Sequence, residues 1–305
     1  MNTEKYLNQL VAEYLSECDI VEISAKTYLR ILNVFIKYLT INAKDVKNPT
    51  KADIILFKSY LFRTGKTILT IDSYLKVISL FFRYLESKGY YSDISKGTHH
   101  RKRYYGYRKG YLSKDQVIKL LKSLPNVSII DKRNTAIIQL MLRNGLRCIE
   151  VSRLAIEDII SDSTGYALKI QRKGHLTKDQ IIGISQKVYD PIEIYLTERG
   201  TFKGNEPLFI NHQSKNNISK GLTAITISRI VMNELNHQGL GSKQVTAHSL
   251  RHTCAITALK SGVDIYDVSK MLGHTNIATT QIYISAIESE TLRINPASIA
   301  LDKVY

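Results

Sequence analysis

Four stretches of apolar residues at helical spacing constrain the first part of this chain more than any other feature of its sequence. The first covers Thr3–Glu17, and the second follows Ser24, which we predict as its N-cap. The third begins after Thr50, and the fourth ends at Gly89. Because each predicted helix has one apolar stripe, the four stripes must share a core. The sequence therefore predicts a compact helical domain over residues 1–95.

The rest of the chain alternates helical and strand-like patterns. Residues 112–305 open with Ser113 as the N-cap of a helix. Two runs with alternating apolar residues, Ala167–Gln171 and Gln180–Ser185, predict a β-hairpin whose polar tip is Arg172–Lys178. We expect further helices within residues 131–143, 188–238 and 264–271. The prediction is a mainly α protein of two domains with a small β-sheet.

Composition indicates a globular protein with a polyanionic partner. The 305 residues are 44% hydrophobic, which is enough for two domains with their own cores. The formal net charge is +16 and the sequence pI is about 9.6, a balance that favours nucleic acid before a membrane surface. Charge alone also fits a basic protein without such a partner.

The cysteines and the N-terminus exclude several other classes. Cys18, Cys148 and Cys254 are far apart and form no Cys-x-x-Cys pair, so we expect neither a zinc site nor a disulfide framework. Cys148 and Cys254 lie in apolar helical patterns and are predicted as small core residues. The start of the chain lacks a signal-peptide core, and no apolar run is long enough to span a bilayer. We therefore expect a cytoplasmic protein with no membrane partner.

A basic segment at 96–111 separates the two predicted domains. It contains no acidic residue, three glycines interrupt any periodicity, and three tyrosines are interleaved with the charges. We predict a linker that contacts DNA phosphates, with a merely solubilising linker as the alternative. Its predicted DNA-binding residues are Lys96, Arg101, Lys102, Arg103, Arg108 and Lys109.

The residues best suited to chemistry lie near the C-terminus. Arg251 has a planar, permanently charged guanidinium that matches two phosphate oxygens. His248 precedes it by three residues, so on a helix both side chains point the same way. His274 follows a glycine that can end a helix, and Tyr283 comes nine residues later. A tyrosine hydroxyl is a covalent nucleophile when a cation or a base stabilises its oxyanion.

Each of these residues has an ordinary alternative when it is taken alone, since the chain has 19 tyrosines and most lone histidines are structural. Together, the order His-x-x-Arg, Leu-Gly-His and Tyr resembles the signature of the tyrosine recombinase (phage-type integrase) family. The resemblance extends to the neighbouring residues in His248–Thr253 and Leu272–Tyr283. Chance similarity over both segments is not a reasonable explanation.

The resemblance implies a fold and a set of site residues. The fold is an N-terminal four-helix core-binding (SAM-like) domain and a C-terminal tyrosine-recombinase catalytic domain, which together form a clamp around DNA. Arg147 matches the family's first catalytic arginine. From its position one turn later, Glu150 is expected to support the local structure or to orient that arginine. The family's hairpin lysine falls at Lys173, with Lys169 and Lys178 as nearby alternatives. The implied catalytic residues are Arg147, Lys173, His248, Arg251, His274 and the nucleophile Tyr283.

The resemblance also implies a mechanism and partners. The two arginines would bind the scissile phosphate, Lys173 would protonate the leaving 5′ oxygen, His248 would assist proton transfer and His274 would hydrogen-bond the phosphate. A 3′-phosphotyrosine intermediate conserves bond energy, so neither ATP, a metal nor another cofactor is expected. Family precedent implies a homo-tetramer on a double-stranded recombination site, a Holliday junction and possible accessory DNA-bending or directionality proteins. A tail at about 289–305 would contact a neighbouring subunit.

Three alternatives remain open from the sequence. A type IB topoisomerase shares the nucleophile chemistry but acts without a partner duplex. A catalytically inactive DNA-binding relative would not need Tyr283, and a metal-dependent nuclease is a more distant possibility. The absence of an additional arm-binding domain favours a Xer-like, resolvase-like or mobile-element recombinase without deciding among them.

Overall fold

The computed structural model of this protein describes residues 3–42, 45, 48–98, 110–212 and 220–294. The chain divides into two compact units, Met1–Tyr104 and Tyr105–Tyr305. The predicted DNA-binding residues between Arg101 and Lys109 lie outside the described residues, as does the tail beyond residue 294. Among the described residues, no helix is long and apolar enough to cross a membrane.

The described residues of the first unit form four helices around one core. Their bounds are α1 Thr3–Glu17, α2 Glu22–Ile41, α3 Lys51–Arg63 and α4 Ile68–Ser87. Leu32, Phe57, Ile78 and Phe82 are fully buried in the shared core. Burying a side chain of this size stabilises the fold by roughly 1.5–3 kcal/mol. The four-helix prediction is confirmed.

The helix starts in this unit show which local signals were reliable. Thr50 is the N-cap of α3, and its hydroxyl and the Asp53 carboxylate accept from each other's backbone N–H in a capping box. The Ser24 cap is wrong, because α2 begins at Glu22 with Val21 at the N-cap position. Ser24 lies in the first turn, where its N–H donates to the Val21 carbonyl, so it has no free helix end to cap.

The second unit combines eight helices, among the residues described, with one small sheet. The helices are α5 Lys114–Ser123, α6 Ile129–Asn144, α7 Cys148–Ser152, α8 Gln186–Arg199, α9 Ala224–His237, α10 Ala247–Lys260, α11 Ile265–Leu272 and α12 Ala278–Ile294. The Ser113 cap of α5 is confirmed as a capping box with Gln116. Helix α6 packs against α8 and α10, and α9 packs against α7 and α10. The mainly α prediction is therefore confirmed for this unit too.

The sheet is antiparallel and has three strands, β1 Ile159–Asp162, β2 Gly165–Ile170 and β3 Gln180–Ile184. Leu168 in the central strand pairs with Ile159 on one side and Ile182 on the other. The hairpin formed by β2 and β3 was predicted, whereas β1 was not. Only four residues form β1, and half of them are exposed, so its sequence carries little alternation.

Two helices of the second unit, α6 and α11, end at a glycine. Gly145 follows α6 with φ 64°, and Gly273 follows α11 with φ 64°. Both positions lie in the left-handed region that favours glycine. A Cβ on Gly145 would also stand 2.5 Å from Leu272 Cδ2. The tight turn after α6 and the end of α11 therefore depend on each other.

Gly145→Ala should lower the free energy of unfolding by about 2–4 kcal/mol, from left-handed strain together with overpacking against Leu272. Gly239→Ala has the strain without the contact and should cost about 1–2 kcal/mol, because its φ is 66° and nothing lies near its Cβ. Gly183→Ala, in open space on β3, should change stability by less than about 0.5 kcal/mol. Urea unfolding followed by circular dichroism measures all three. Equal losses at Gly145 and Gly239 would contradict the packing argument.

Candidate active site

Glu150 lies at the centre of a buried group of cations. Its carboxylate is fully buried, and Oε2 accepts the backbone N–H of Arg147 at 2.8 Å while Oε1 accepts Arg147 Nη1 at 2.8 Å. Arg147 is the N-cap residue of α7, and its side chain keeps 24% of its surface exposed. Glu150 therefore holds both the backbone and the side chain of Arg147. Part of the Arg147 side chain remains accessible to solvent.

Arg251 reaches the same carboxylate from α10. It is 1% exposed, and Nη1 donates to the Gly145 carbonyl at 2.7 Å while Nη2 donates to the Leu272 carbonyl at 2.6 Å. Its Nη1 also lies 4.0 Å from Glu150 Oε2. Burial, followed by the charge of Arg147, lowers the Arg251 pKa to about 10, so the group stays cationic at neutral pH.

A third arginine, Arg172, joins this group, and here the sequence prediction was wrong. Arg172 was placed on a polar hairpin tip, but it is 2% exposed and its Nη1 lies 3.4 Å from Glu150 Oε2. Leu168 and Ile170 on β2 both face the core, and the two-residue strand period carries Arg172 to the same face. The alternation of apolar residues is visible in the sequence, but the positive charge of Arg172 argued against a buried position.

Lys173, the predicted hairpin lysine, is exposed and forms no hydrogen bond or ion pair with the described part of the chain. Its two alternatives differ. Lys178 is engaged in an ion pair with Asp158 at 2.5 Å, whereas Lys169 is exposed on β2. Lys173 follows directly after Arg172, so its backbone is fixed beside the arginine group while its side chain is free to extend.

Tyr283 lies on α12, and its hydroxyl faces the arginine group. The side chain is 4% exposed, and its oxygen lies 3.0 Å from His252 Nδ1. Burial raises the Tyr283 pKa, while the charges of Arg251 and Arg147 and a hydrogen bond with Arg251 act in the opposite direction. The candidate nucleophile therefore lies within hydrogen-bond distance of an imidazole and within the electrostatic field of two guanidiniums.

His252 was not predicted as a site residue, although it lies in the quoted His248–Thr253 segment. It is mostly buried, one turn after His248 on α10, and the two imidazole rings meet edge to face with centroids 4.6 Å apart. The four-residue spacing of the two histidines was the signal for this contact. His248 is half-buried, and His252 stands between it and Tyr283.

His274 completes the group from the turn after α11. Its Nδ1 lies 2.8 Å from the buried Thr280 hydroxyl, and its ring is nearly parallel to that of Tyr283 at a centroid distance of 6.3 Å. Burial, then the charges of Arg251 and Arg147, lower the His274 pKa to about 4. The imidazole is therefore neutral at physiological pH and can donate one hydrogen bond without adding charge.

Five of the predicted catalytic residues come close together around Glu150 and Tyr283, and Lys173 lies beside the buried Arg172. Of the predicted DNA-binding residues, only Lys96 is described; it is exposed and forms an ion pair with Glu86 at 2.8 Å. Arginines around a buried carboxylate, neutral histidine and a buried tyrosine define a site suited to nucleophilic attack on a phosphodiester. This is the class of DNA strand transferases that use tyrosine.

Comparisons with known proteins agree with this class. Residues 110–290 match the phage integrase family, and residues 7–91 match the phage integrase N-terminal SAM-like domain. Tyrosine recombinase XerA of Pyrococcus horikoshii is 30% identical over 278 residues, covering 89% of this chain and 90% of that protein. Tyrosine recombinase XerD of Listeria monocytogenes serotype 4b is 29% identical over 290 residues, covering 91% and 94%.

Solved structures show the same fold. A post-cleavage complex of XerH site-specific recombinase with palindromic difH substrate aligns with a TM-score of 0.72 at 21% identity, covering 89% of this chain and 79% of that one. A lambda integrase dimer bound to a COC′ core site aligns with a TM-score of 0.70 at 17% identity, covering 91% and 76%. The chain therefore belongs to the phage integrase family and is a tyrosine site-specific recombinase.

Glu150→Gln should destabilise the free protein by about 3–5 kcal/mol, because it leaves three buried or half-buried guanidiniums without their carboxylate. Thermal unfolding of the free protein measures the loss, and added sulfate should recover more of the midpoint for this variant than for wild type. Glu157→Gln, an exposed carboxylate in the same domain, is the matched control. A loss no larger than that of the control would show that the arginines do not depend on Glu150.

His274 should make the free protein sensitive to acid. Its folded pKa of about 4 is below the ordinary 6.5, so the stabilisation is complete above pH 6.5 and is lost as the pH falls towards 4. The difference corresponds to at most about 3 kcal/mol. Urea unfolding between pH 7 and 4 measures the difference in free energy of unfolding between wild type and His274→Gln. This difference should narrow as the pH falls, or reverse in favour of the variant. The exposed His237→Gln should follow wild type; a constant gap for His274→Gln would contradict a neutral, buried imidazole.

Proposed function

We propose that this chain cuts and rejoins DNA through Tyr283, with a 3′-phosphotyrosyl link and a free 5′ hydroxyl as the intermediate. The observation that carries the proposal is the buried Tyr283 hydroxyl, which lies 3.0 Å from His252 Nδ1 and within the electrostatic field of the Arg251 guanidinium. A phosphate bound by Arg251 would lie against the nucleophile. The phenol is held at the reaction centre before DNA binds.

Arg147 and Arg251 bind the non-bridging oxygens of the scissile phosphate in this proposal. Their cationic groups stabilise the extra negative charge of the pentacoordinate transition state, which is usually the largest catalytic effect. Glu150 keeps the two guanidiniums in place, so little reorganisation is needed when DNA arrives. His274 adds a neutral donor: when the Thr280 hydroxyl donates to Nδ1, the ring proton is on Nε2 and is available to a phosphate oxygen.

Two proton transfers accompany the exchange of bonds at phosphorus. The Tyr283 oxygen bonds to phosphorus as the bond from phosphorus to the 5′ oxygen breaks. Because burial raises the Tyr283 pKa, the hydroxyl gives its proton to a base, and His252 Nδ1 is the nearest imidazole nitrogen. His248 assists by packing against the His252 ring. Lys173 donates a proton to the leaving 5′ oxygen.

The covalent link conserves the energy of the phosphodiester, so a 5′ hydroxyl from a second duplex can reverse the attack. We propose that strand exchange proceeds in this way through a Holliday junction in a DNA-bound tetramer, without ATP or a metal ion. Residues 1–95 would serve as the core-binding domain and 96–111 as a phosphate-contacting linker. The segment 289–305 would contact a neighbouring subunit. The DNA-bound XerH and lambda integrase structures support the DNA partner by analogy of fold.

The target DNA can be obtained by using the protein itself. Tyr283→Phe removes only the nucleophilic oxygen, so this variant should retain its site from a random pool of duplexes and allow that site to be sequenced. The retained duplex, nicked near the cleavage point, then traps any covalent product, because the short strand diffuses away. In EDTA and without ATP, wild type should form an adduct 3′-linked at one position, and Tyr283→Phe should form at least about a thousandfold less.

An adduct that persists in Tyr283→Phe would move the nucleophile to another residue. Retention of DNA by both proteins with no adduct from wild type would favour a binding protein without catalysis. A second duplex carrying the same site separates the remaining alternatives: exchanged strands identify a recombinase, whereas relaxation of a supercoil on one duplex alone identifies a type IB topoisomerase activity. Cleavage that requires Mg²⁺ would contradict the proposed independence from metals.

A further inference from the structure

Arg172 is one of the largest fully buried side chains among the described residues, and the proposed mechanism assigns it no role. It lies two residues after the end of β2 and directly precedes Lys173. A buried guanidinium is expensive to desolvate, and burial does lower the Arg172 pKa, with the Glu150 charge partly opposing it. An apolar side chain would fill the same space at lower cost. The burial of a charged arginine here therefore needs a geometric reason.

The Arg172 side chain joins three separate elements. Its Nε donates to Gln180 Oε1 at 2.7 Å, at the start of β3. Its Nη1 lies 3.4 Å from Glu150 Oε2 on α7, and its Nη2 donates to the Met271 carbonyl at 2.7 Å on α11. One rigid, planar guanidinium thus connects both ends of the hairpin loop, the carboxylate that orients Arg147 and the helix before His274.

Two arginines hold the end of α11 side by side. Arg172 Nη2 donates to the Met271 carbonyl, and Arg251 Nη2 donates to the next carbonyl, that of Leu272, at 2.6 Å. Gly273 follows, and a Cβ on it would collide with Arg172 Nε, so the lack of a side chain is what lets the guanidinium approach this turn. The hairpin is thereby fixed against the same turn that the phosphate-binding Arg251 holds.

The Arg172 backbone is held as well. Its carbonyl accepts the backbone N–H of His175 at 3.1 Å and Arg153 Nη1 at 3.3 Å. Adjacent Cα atoms are about 3.8 Å apart, so fixing Arg172 at both its side chain and its carbonyl also fixes where the Lys173 side chain begins. Lys173 itself is exposed, and its side chain forms no hydrogen bond or ion pair with the described residues. The Lys173 side chain can therefore extend freely, whereas its backbone is held in place.

We propose that Arg172 is a positioning residue that places Lys173 in register with the Arg147–Arg251 pair, so that the leaving oxygen is protonated as the phosphate is attacked. This inference rests on the proposed function. It predicts a particular kind of defect: variants at Arg172 should lose the contribution of the general acid while they keep that of the phosphate-binding arginines. A residue that only stabilised the fold would affect both.

A change of leaving group separates these two contributions. When sulfur replaces the bridging 5′ oxygen of the nicked duplex, the leaving thiolate has a conjugate acid pKa of about 8.5, against about 15.7 for water as a guide to an alkoxide. The thiolate departs without a proton from lysine. Cleavage of the sulfur duplex therefore still needs Tyr283, Arg147 and Arg251, but it no longer needs Lys173.

Single-turnover cleavage should then follow one pattern. Arg172→Met and Arg172→Lys should cleave the oxygen duplex about 10- to 100-fold more slowly than wild type, part of the 10²–10⁴-fold that a positioned general acid contributes. Arg172→Lys keeps the charge but loses the fork that bonds three partners. Both should cleave the sulfur duplex within about threefold of wild type. Lys173→Ala should show the same rescue, and Arg251→Ala should stay slow on both.

Two further variants keep the test decisive. Arg143→Met makes the same chemical change at an exposed arginine of the domain and should match wild type on both duplexes. Gln180→Leu removes only the partner of Arg172 Nε, so it should give a smaller oxygen-specific loss of about three- to tenfold even if Arg172 variants fold poorly, which circular dichroism would reveal.

Each other outcome identifies what fails. Wild-type speed of Arg172→Met on the oxygen duplex, or equal slowing of folded Arg172→Met on both duplexes, would overturn the positioning role. The role is also overturned if sulfur does not rescue Lys173→Ala, because Lys173 would not be the acid, or if Gln180→Leu is slowed equally on both. Failure of wild type to form an adduct with either duplex would instead overturn the proposed function itself.

Discussion

The structure of the site depends on the burial of one carboxylate among three guanidiniums. Glu150 has no exposed surface, and it contacts Arg147 at 2.8 Å, Arg172 at 3.4 Å and Arg251 at 4.0 Å. Without the carboxylate the three cations would repel one another in a medium that screens them poorly, and without the cations the carboxylate could not remain buried. This mutual requirement brings α7, the hairpin after β2 and α10 to one point, although they are far apart in sequence.

The same arrangement leaves a net positive charge that a phosphate can complete. Three guanidiniums and one carboxylate sum to about +2, and a phosphodiester brings about −1. Burial and then the field of these cations lower the His274 pKa to about 4, and the cations oppose the rise that burial causes in the Tyr283 pKa. The charges around Glu150 therefore act at the same time on the place where a phosphate would bind, on His274 and on Tyr283.

Local signals in the sequence correctly predicted helix ends that are set by short-range interactions. Helix starts with a capping box, at Thr50 and Ser113, and helix ends at a left-handed glycine, at Gly145, were all identified correctly. The prediction of Ser24 as an N-cap was wrong because a capping residue only marks a place where a helix can start, and α2 already begins at Glu22. Arg172 failed for the reverse reason: its partners Glu150 and Met271 are 22 and 99 residues away, and no local pattern reports such contacts.

The neighbouring pair Arg172 and Lys173 shows how one strand period can serve two purposes. Alternation turns Arg172 inward, where Glu150, Gln180 and the Met271 carbonyl hold it, and turns Lys173 outward, where it is exposed. In the proposed mechanism Lys173 must reach a DNA strand that is absent from the free protein, so its own side chain cannot be locked by packing. Its precision has to come from the residue next to it. A buried cation beside an exposed one is costly for folding, but it fixes the origin of a mobile acid without restricting its reach.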